Sequence, residues 1–181
     1  MKRRLFVAVA LDDTTREACA GVARRLRAKG WPGRWIAPEN YHLTVAFLGG
    51  VEDDRVGAAS AAVRDVVGSV SPFDVRLDAV GAFPNDERPR VAWTGPLHGA
   101  NAFGSLCGAV RSSLAAHGFT FDERSDAHVT LARADGKAPL PRVAPARDVT
   151  VRVDALTLYE SFTRASGASY VALERHQLGA R

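Results

Sequence analysis

Two cysteines in 181 residues, Cys19 and Cys107, are too few for a disulfide scaffold and too far apart for a thiolate metal pair. The expectation is a reducing, cytoplasmic setting, with each thiol a small core residue on a helix. No apolar run approaches the roughly 20 residues that span a bilayer, so no membrane association is expected. Met1-Lys-Arg-Arg followed by Leu5 to Leu11 imitates a secretory signal, but the run halts at Asp12-Asp13 and reads better as a buried strand. A serine-hydrolase elbow, Gly-x-Ser-x-Gly, is missing, and so is the Gly-x-x-x-x-Gly-Lys-Ser/Thr loop of nucleotide triphosphate chemistry. Neither charge sign dominates: 24 Lys and Arg against 20 Asp and Glu give net +4, enough to favour an anionic partner without the density of a histone-like binder. A chain that is 46% hydrophobic and 24% charged is globular, which excludes wholesale disorder. Its length fits one domain.

Periodicity orders the chain. Leu5 to Leu11 is a compact strand; Thr14 to Lys29 carries Ala18, Val22 and Leu26 at helical spacing, with Asp13 or Thr14 as cap and Gly30 as stop. In Tyr41 to Gly49, His42, Thr44 and Ala46 alternate against Leu43, Val45 and Phe47. Val56 to Val67 is a second helix and Phe73 to Leu77 a further strand. The order then restarts: Arg90 to Thr94 is a strand, Phe103 to Leu114 a helix, and Asp126 to Arg133 an alternating strand. His42 and His128 lie 86 positions apart, as do Arg4-Leu5 and Arg90-Val91, while Asp74 to Val80 resembles Thr150 to Leu156 at an offset of 76. The ten missing residues match the replacement of the Val56 to Val67 helix by a Pro-rich loop, Ala134 to Asp148. Short strands at Thr157 to Ser161 and Tyr170 to Leu173, turning at Ser166-Gly167, close the chain, and the tail from Arg175 reads as polar and fraying.

A two-copy repeat implies facing lobes and not a solenoid, which needs ~3 or more repeats. The expected fold is α+β: one bilobal domain over residues 1–181, with a repeat at about 4–80 and 90–156. Each lobe is an antiparallel sheet with helices on its outer face, the terminal hairpin 157–173 completes the sheets, and the lobes meet across a central cleft.

Residues two apart in a strand share a face, so each half presents one imidazole beside one hydroxyl: His42 with Thr44, His128 with Thr130. Histidine is the side chain whose ordinary pKa lets one copy act as base and another as acid near neutrality. Two of them around one atom suit an in-line displacement, and threonine hydroxyls can donate to phosphate oxygens. One His-x-Thr is unremarkable, since Thr packs well in strands; recurrence in register within apolar strands carries the inference. A catalytic zinc needs ~3 protein ligands, which two histidines do not supply unless Glu123 or Asp126 reaches in. No metal or cofactor is therefore expected. His117 suits a helix C-terminus, His98 a loop and His176 the tail.

Arg34-Trp-Ile-Ala-Pro-Glu-Asn-Tyr-His-Leu-Thr-Val-Ala-Phe-Leu-Gly49, Arg88-Pro-Arg-Val-Ala-Trp93, His128-Val-Thr-Leu-Ala-Arg133 and Leu158-Tyr-Glu-Ser161 resemble the RNA 2',3'-cyclic phosphodiesterases, also called 2'-5' RNA ligases, of the two-histidine phosphoesterase superfamily. The resemblance runs from Arg4 to about Leu173. It implies metal-free hydrolysis of RNA 2',3'-cyclic phosphate ends to 2'-phosphomonoesters, with weak reverse joining of 2' phosphate and 5' hydroxyl ends. His42 then resembles the general acid and His128 the base, with Thr44 and Thr130 holding phosphate. Arg133 takes the place of a basic residue that contacts RNA, and Phe47 that of an aromatic in the first motif's strand. The approach to the second motif departs from the family's Arg-Pro-Phe-x-Pro-His: here Glu123-Arg-Ser-Asp-Ala127 precedes His128, and Asp126 brings a negative charge.

Arg34, Arg88, Arg90, Arg124 and Arg133 are candidates for a rim that attracts RNA phosphates, and Trp35, Tyr41 and Trp93 for faces on which a base stacks, burial being the alternative for Trp93. The expected partners are RNA ends or nucleotides bearing a 2',3'-cyclic phosphate; no obligate protein partner is evident and a monomer is expected. Alternatives are a small substrate, ADP-ribose 1'',2''-cyclic phosphate or a 2'-5' oligoadenylate, or a non-catalytic module that binds RNA ends.

Overall fold

The computed structural model describes residues 1–121, 126–145, 149–164 and 167–179. Glu123, Arg124 and the Ser166 turn lie outside them. Strands are β1 (Lys2–Ala10), β2 (Arg34–Trp35), β3 (His42–Glu52), β4 (Phe73–Leu77), β5 (Ala79–Phe83), β6 (Val91–Gly95), β7 (Val129–Arg133), β8 (Val149–Val153), β9 (Ala155–Arg164) and β10 (Gly167–Gln177). The helices are α1 (Asp13–Ala28), α2 (Val56–Val67) and α3 (Asn101–Ala116).

Helix α1 opens one residue earlier than the periodicity implies. Asp12 caps it, its carboxylate accepting the Thr15 N–H at 2.7 Å, because an extended Asp12 aims its side chain back at the first turn. Cys19, Val22 and Leu26 share the buried face. Gly30 follows at φ 75°, a left-handed conformation that glycine adopts without penalty.

The main sheet runs β10-β9-β1-β3-β7-β6-β5, with β2 pairing to β7, and β4 and β8 form a separate two-stranded sheet. Its pairs are antiparallel. Two seams join the halves, and each pairs residues at the sequence offsets. Leu43 pairs with Val129, 86 positions on; Val75 pairs with Val151, 76 positions on.

The lobes are not contiguous in sequence. The β1-β3 lobe takes its outer strands, β9 and β10, from the end of the chain, and the β6-β7 lobe takes β5 from the first half. Helices exchange too, α1 packing on β7 and α3 on β3. The side chains of Leu43, Val45, Val129, Leu131, Phe103 and Leu114 are fully buried beneath the sheet. Burying a side chain of this size contributes roughly 1.5–3 kcal/mol. The helical face is therefore committed to the core and the opposite face is left for chemistry.

The terminal hairpin is longer than its apolar pattern implies. Strand β10 continues to Gln177, and Leu178 and His176 are buried, so His176 belongs to the fold and not to a frayed tail. Its Nε2 lies 2.9 Å from Ser60 Oγ of α2, and Ser60 also bonds Glu174. That polar tie to α2 is what apolar periodicity does not register.

Candidate active site

His42 opens β3, while His128 stands one residue before β7, which begins at Val129 and not at Asp126. Both rings are fixed in the same way. The Nδ1–H of His42 donates to the Asn40 carbonyl at 2.7 Å, and that of His128 to the Asp126 carbonyl at 2.8 Å. A carbonyl only accepts, so each Nδ1 carries a proton and the neutral ring keeps its lone pair on Nε2. His42 Nε2 accepts from the Thr44 hydroxyl at 3.0 Å. Burial pushes the His42 imidazole down to about 4, against the Asn40 hydrogen bond that raises it; positive charge on His128 lowers it further. The two imidazoles thus sense each other across the seam, and His42 is neutral at pH 7.

Strict alternation sets Phe47 and Arg133 on the face opposite the histidines. The structure reverses this through two β-bulges at matching positions. Thr44 pairs with Ala8 and Ala46 with Val7, which leaves Val45 as the extra residue; Thr130 pairs with Trp93 and Ala132 with Ala92, which leaves Leu131 as the extra residue. An extra residue shifts every later side chain to the other face. Phe47 therefore lies opposite Phe6, whose ring packs on His42 at 5.0 Å, and Arg133 joins the face of Thr130. Val45, Ala46, Leu131 and Ala132 are all buried, as the bulges require.

Arg34 pairs with Arg133, so the two exposed guanidinium groups share the cleft face. Trp35, the next residue, faces the other way: Arg27 lies over its ring at 4.9 Å and Trp31 packs on it at 5.9 Å, which removes it as a stacking face for a base. Tyr41 is corrected for the same reason. One residue before His42, it points into the core, is 4% exposed, and burial pushes its phenol up to about 12. Trp93 is half-buried on the cleft face, stacked on Phe83 at 5.4 Å. Arg88 and Arg90 are exposed beyond β5 and before β6.

Further cleft residues come from the strand exchange. Tyr159 stacks on Phe6 at 5.2 Å, and Tyr170 meets the His42 ring edge-on at 5.3 Å. Arg4 sits over Phe47 at 5.1 Å. Burial pushes the Tyr170 phenol up while the charges of Arg133 and Arg4 pull it down. Phe83 packs edge-on against His128 at 5.0 Å. The parity of β1, with Arg4 and Phe6 in step with Ala8, was the available signal for Arg4 and Phe6; nothing local marks Tyr170. Among the described residues no three His, Cys, Asp or Glu gather as a ligand set for a metal, and no helix is long and apolar enough to cross a membrane.

Known proteins resemble this chain in sequence and in fold. The model of the LigT-like phosphoesterase family matches residues 9–93. An RNA 2',3'-cyclic phosphodiesterase of Archaeoglobus fulgidus is 35% identical over 137 residues, 75% of each chain. One from Thermus thermophilus is 31% identical over 184 residues, 97% of this chain and 90% of its own. The crystal structure of E. coli LigT complexed with 3'-AMP is similar with a TM-score of 0.82 at 29% identity, over 99% of this chain and 100% of that one. The chain belongs to the LigT-like phosphoesterases, the RNA 2',3'-cyclic phosphodiesterase family of the two-histidine superfamily, and is a hydrolase of that type.

Proposed function

We propose that this chain hydrolyses RNA 2',3'-cyclic phosphate ends to 2'-phosphomonoesters without a metal ion. The observation that carries the reading is the matched pair of imidazoles at the Leu43 and Val129 seam, each with Nδ1–H tied to a main-chain carbonyl, which makes Nε2 the nitrogen that exchanges a proton. His128 takes a proton from water as its oxygen bonds to phosphorus. The bond from phosphorus to O3' breaks in line, and His42 delivers the proton to the departing oxygen. Thr44 and Thr130 donate to the non-bridging oxygens, where charge develops.

His42 needs a proton to act as acid, and burial opposes one. The anionic phosphate supplies the opposite charge that raises its pKa, so the acid is assembled only with substrate bound. With the same roles, a 5' hydroxyl in place of water gives weak 2'-5' joining, and microscopic reversibility exchanges the roles when that bond is cleaved again. Arg133, Arg34 and Phe47 bind the RNA end. The pairing of residues at offsets of 86 and 76 supports reading 4–80 and 90–156 as an internal repeat.

E. coli LigT, a relative, is known in complex with 3'-AMP, a nucleoside phosphate. The test is incubation of the purified chain with a 2',3'-cyclic-phosphate RNA in EDTA. Undiminished formation of a 2'-phosphate end is expected. Loss on chelation that zinc or manganese restores, or a 3'-phosphate product, overturns the reading.

A further inference from the structure

The surroundings of the two histidines differ. His42 is closed in by Phe6 and Tyr170, the latter brought by β10. Among the described residues β10 has no counterpart beside β5, which ends the sheet in the other lobe. There the space next to His128 stays open as a cavity of about 710 Å³, within the 300–1,000 Å³ range of small-ligand sites.

One wall of that cavity is aromatic, Phe83 stacked on Trp93, and Phe83 also touches the His128 ring. The indole lies flat on β5, since a Cβ at Gly81 would come within 2.6 Å of it, so its cavity side is a level face. The start of α3 also lines the cavity, with Asn101, Gly104 and Ser105, and α3 has no side-chain cap on its first N–H groups. Asp126 adds a carboxylate to the lining. A flat apolar face in one cavity with amide, hydroxyl and carboxylate groups matches a nucleoside, which has a π-surface and a hydrogen-bonding edge.

We propose that this cavity is a second nucleoside subsite, seating the nucleoside whose 5' oxygen takes the position of the attacking water. The inference rests on the reaction proposed above, in which water enters on the His128 side. With a nucleoside seated there, His128 removes the proton from the 5' hydroxyl, the O5' to phosphorus bond forms, the bond to O3' breaks, and His42 protonates O3'. The products are a 2'-5' phosphodiester and a free 3' hydroxyl. Water fills the same position when the subsite is empty, so occupancy sets the partition between joining and hydrolysis.

Adenosine is added to the purified chain turning over a 2',3'-cyclic mononucleotide. The expected result is a saturable diversion of product to the 2'-5' dinucleoside phosphate, or inhibition that raised substrate does not relieve, because both molecules bind together. The ratio of dinucleoside to hydrolysis product should fall at least ~10-fold in Ser105→Trp, an exposed helix position where a bulky ring fills the cavity. Purely competitive inhibition would assign the cavity to the nucleoside that carries the cyclic phosphate, and so overturns the proposal, as does an absence of any effect. If the chain does not hydrolyse the cyclic phosphate, the reaction proposed above fails separately. The cavity is then read by ¹⁵N NMR of the Trp93 indole, assigned with Trp93→Phe: a shift on adding adenosine keeps the nucleoside site, and no shift overturns it.

Discussion

Leu43 faces Val129 across the seam of the main sheet, and each follows a histidine whose Nδ1–H is held by the carbonyl two residues earlier. His42 and Thr44 flank Leu43, and His128 and Thr130 flank Val129, so the single pair brings both polar couples to the place where β3 and β7 meet. Leu43 and Val129 are buried and anchor the opposite face in the core.

Proton transfer by this pair predicts a bell-shaped pH dependence of kcat/KM, its limbs belonging to the coupled imidazoles. His42→Ala and His128→Ala should each lose roughly 10² to 10⁴-fold, and the double variant much less than the product of the two. A substrate with a good leaving group in place of O3' should rescue His42→Ala alone. Rescue of His128→Ala instead would exchange the two roles.

Stability should fall in mild acid. An unfolded imidazole titrates near 6.5 and folded His42 near 4, so between those values the unfolded chain binds more protons. The stability held by neutral His42 is complete above pH 6.5 and is lost as pH falls toward about 4. The full shift corresponds to at most about 3 kcal/mol before solvent screening of a half-buried ring. Buried His176 shifts in the same direction. Urea titrations at pH 7 and pH 5 check this: His42→Gln should reduce the difference, and an equal difference in both proteins would contradict the assignment.

The bulge at Leu131 sets Arg133 on the cleft face, where the proposed reaction gives it the task of binding RNA. Arg133→Ala should raise KM for an oligonucleotide more than for a cyclic mononucleotide, with the effect shrinking as salt rises. Arg4→Ala should behave alike, since both cations act on Tyr170. A collapsed kcat with unchanged KM would move Arg133 to the transition state.

Gly95→Ala should damage the second motif without touching it. A Cβ there would lie 2.6 Å from the carbonyl oxygen of Ala127, a backbone atom that cannot swing aside, one residue before His128. Overpacking of this kind costs about 1–3 kcal/mol, read as a lower melting temperature, and kcat should drop with it. Unaltered kcat in the folded variant would mean that His128 is positioned independently of Ala127.

Much of the site is visible in the residues alone. Two His-x-Thr triplets in register require only the two-residue period of a strand, and the spacing of 86 that relates them is the spacing of the residues paired at the seam. The faces of Phe47 and Arg133 are not visible in the same way. A bulge changes parity without leaving a mark in hydrophobicity, because Val45 and Leu131 are as apolar as the alternating pattern already demanded. The same parity that points His42 into the cleft also buries Tyr41, which removed it as a binding face.

Strands β1, β3, β4, β6 and β7, the three helices and the two histidine-threonine pairs follow from local periodicity and backbone preference, which act over a few residues, whereas β5 carries no such mark. The partner of each strand was decided only by the tertiary structure. That Tyr159 and Tyr170 close over His42, and that the matching place beside His128 stays open, depends on β9 and β10 crossing to the first lobe while β5 crosses to the second. Strand pairing across a hundred residues or more is chosen by the burial of whole faces against one another, and no short window of sequence carries that energy.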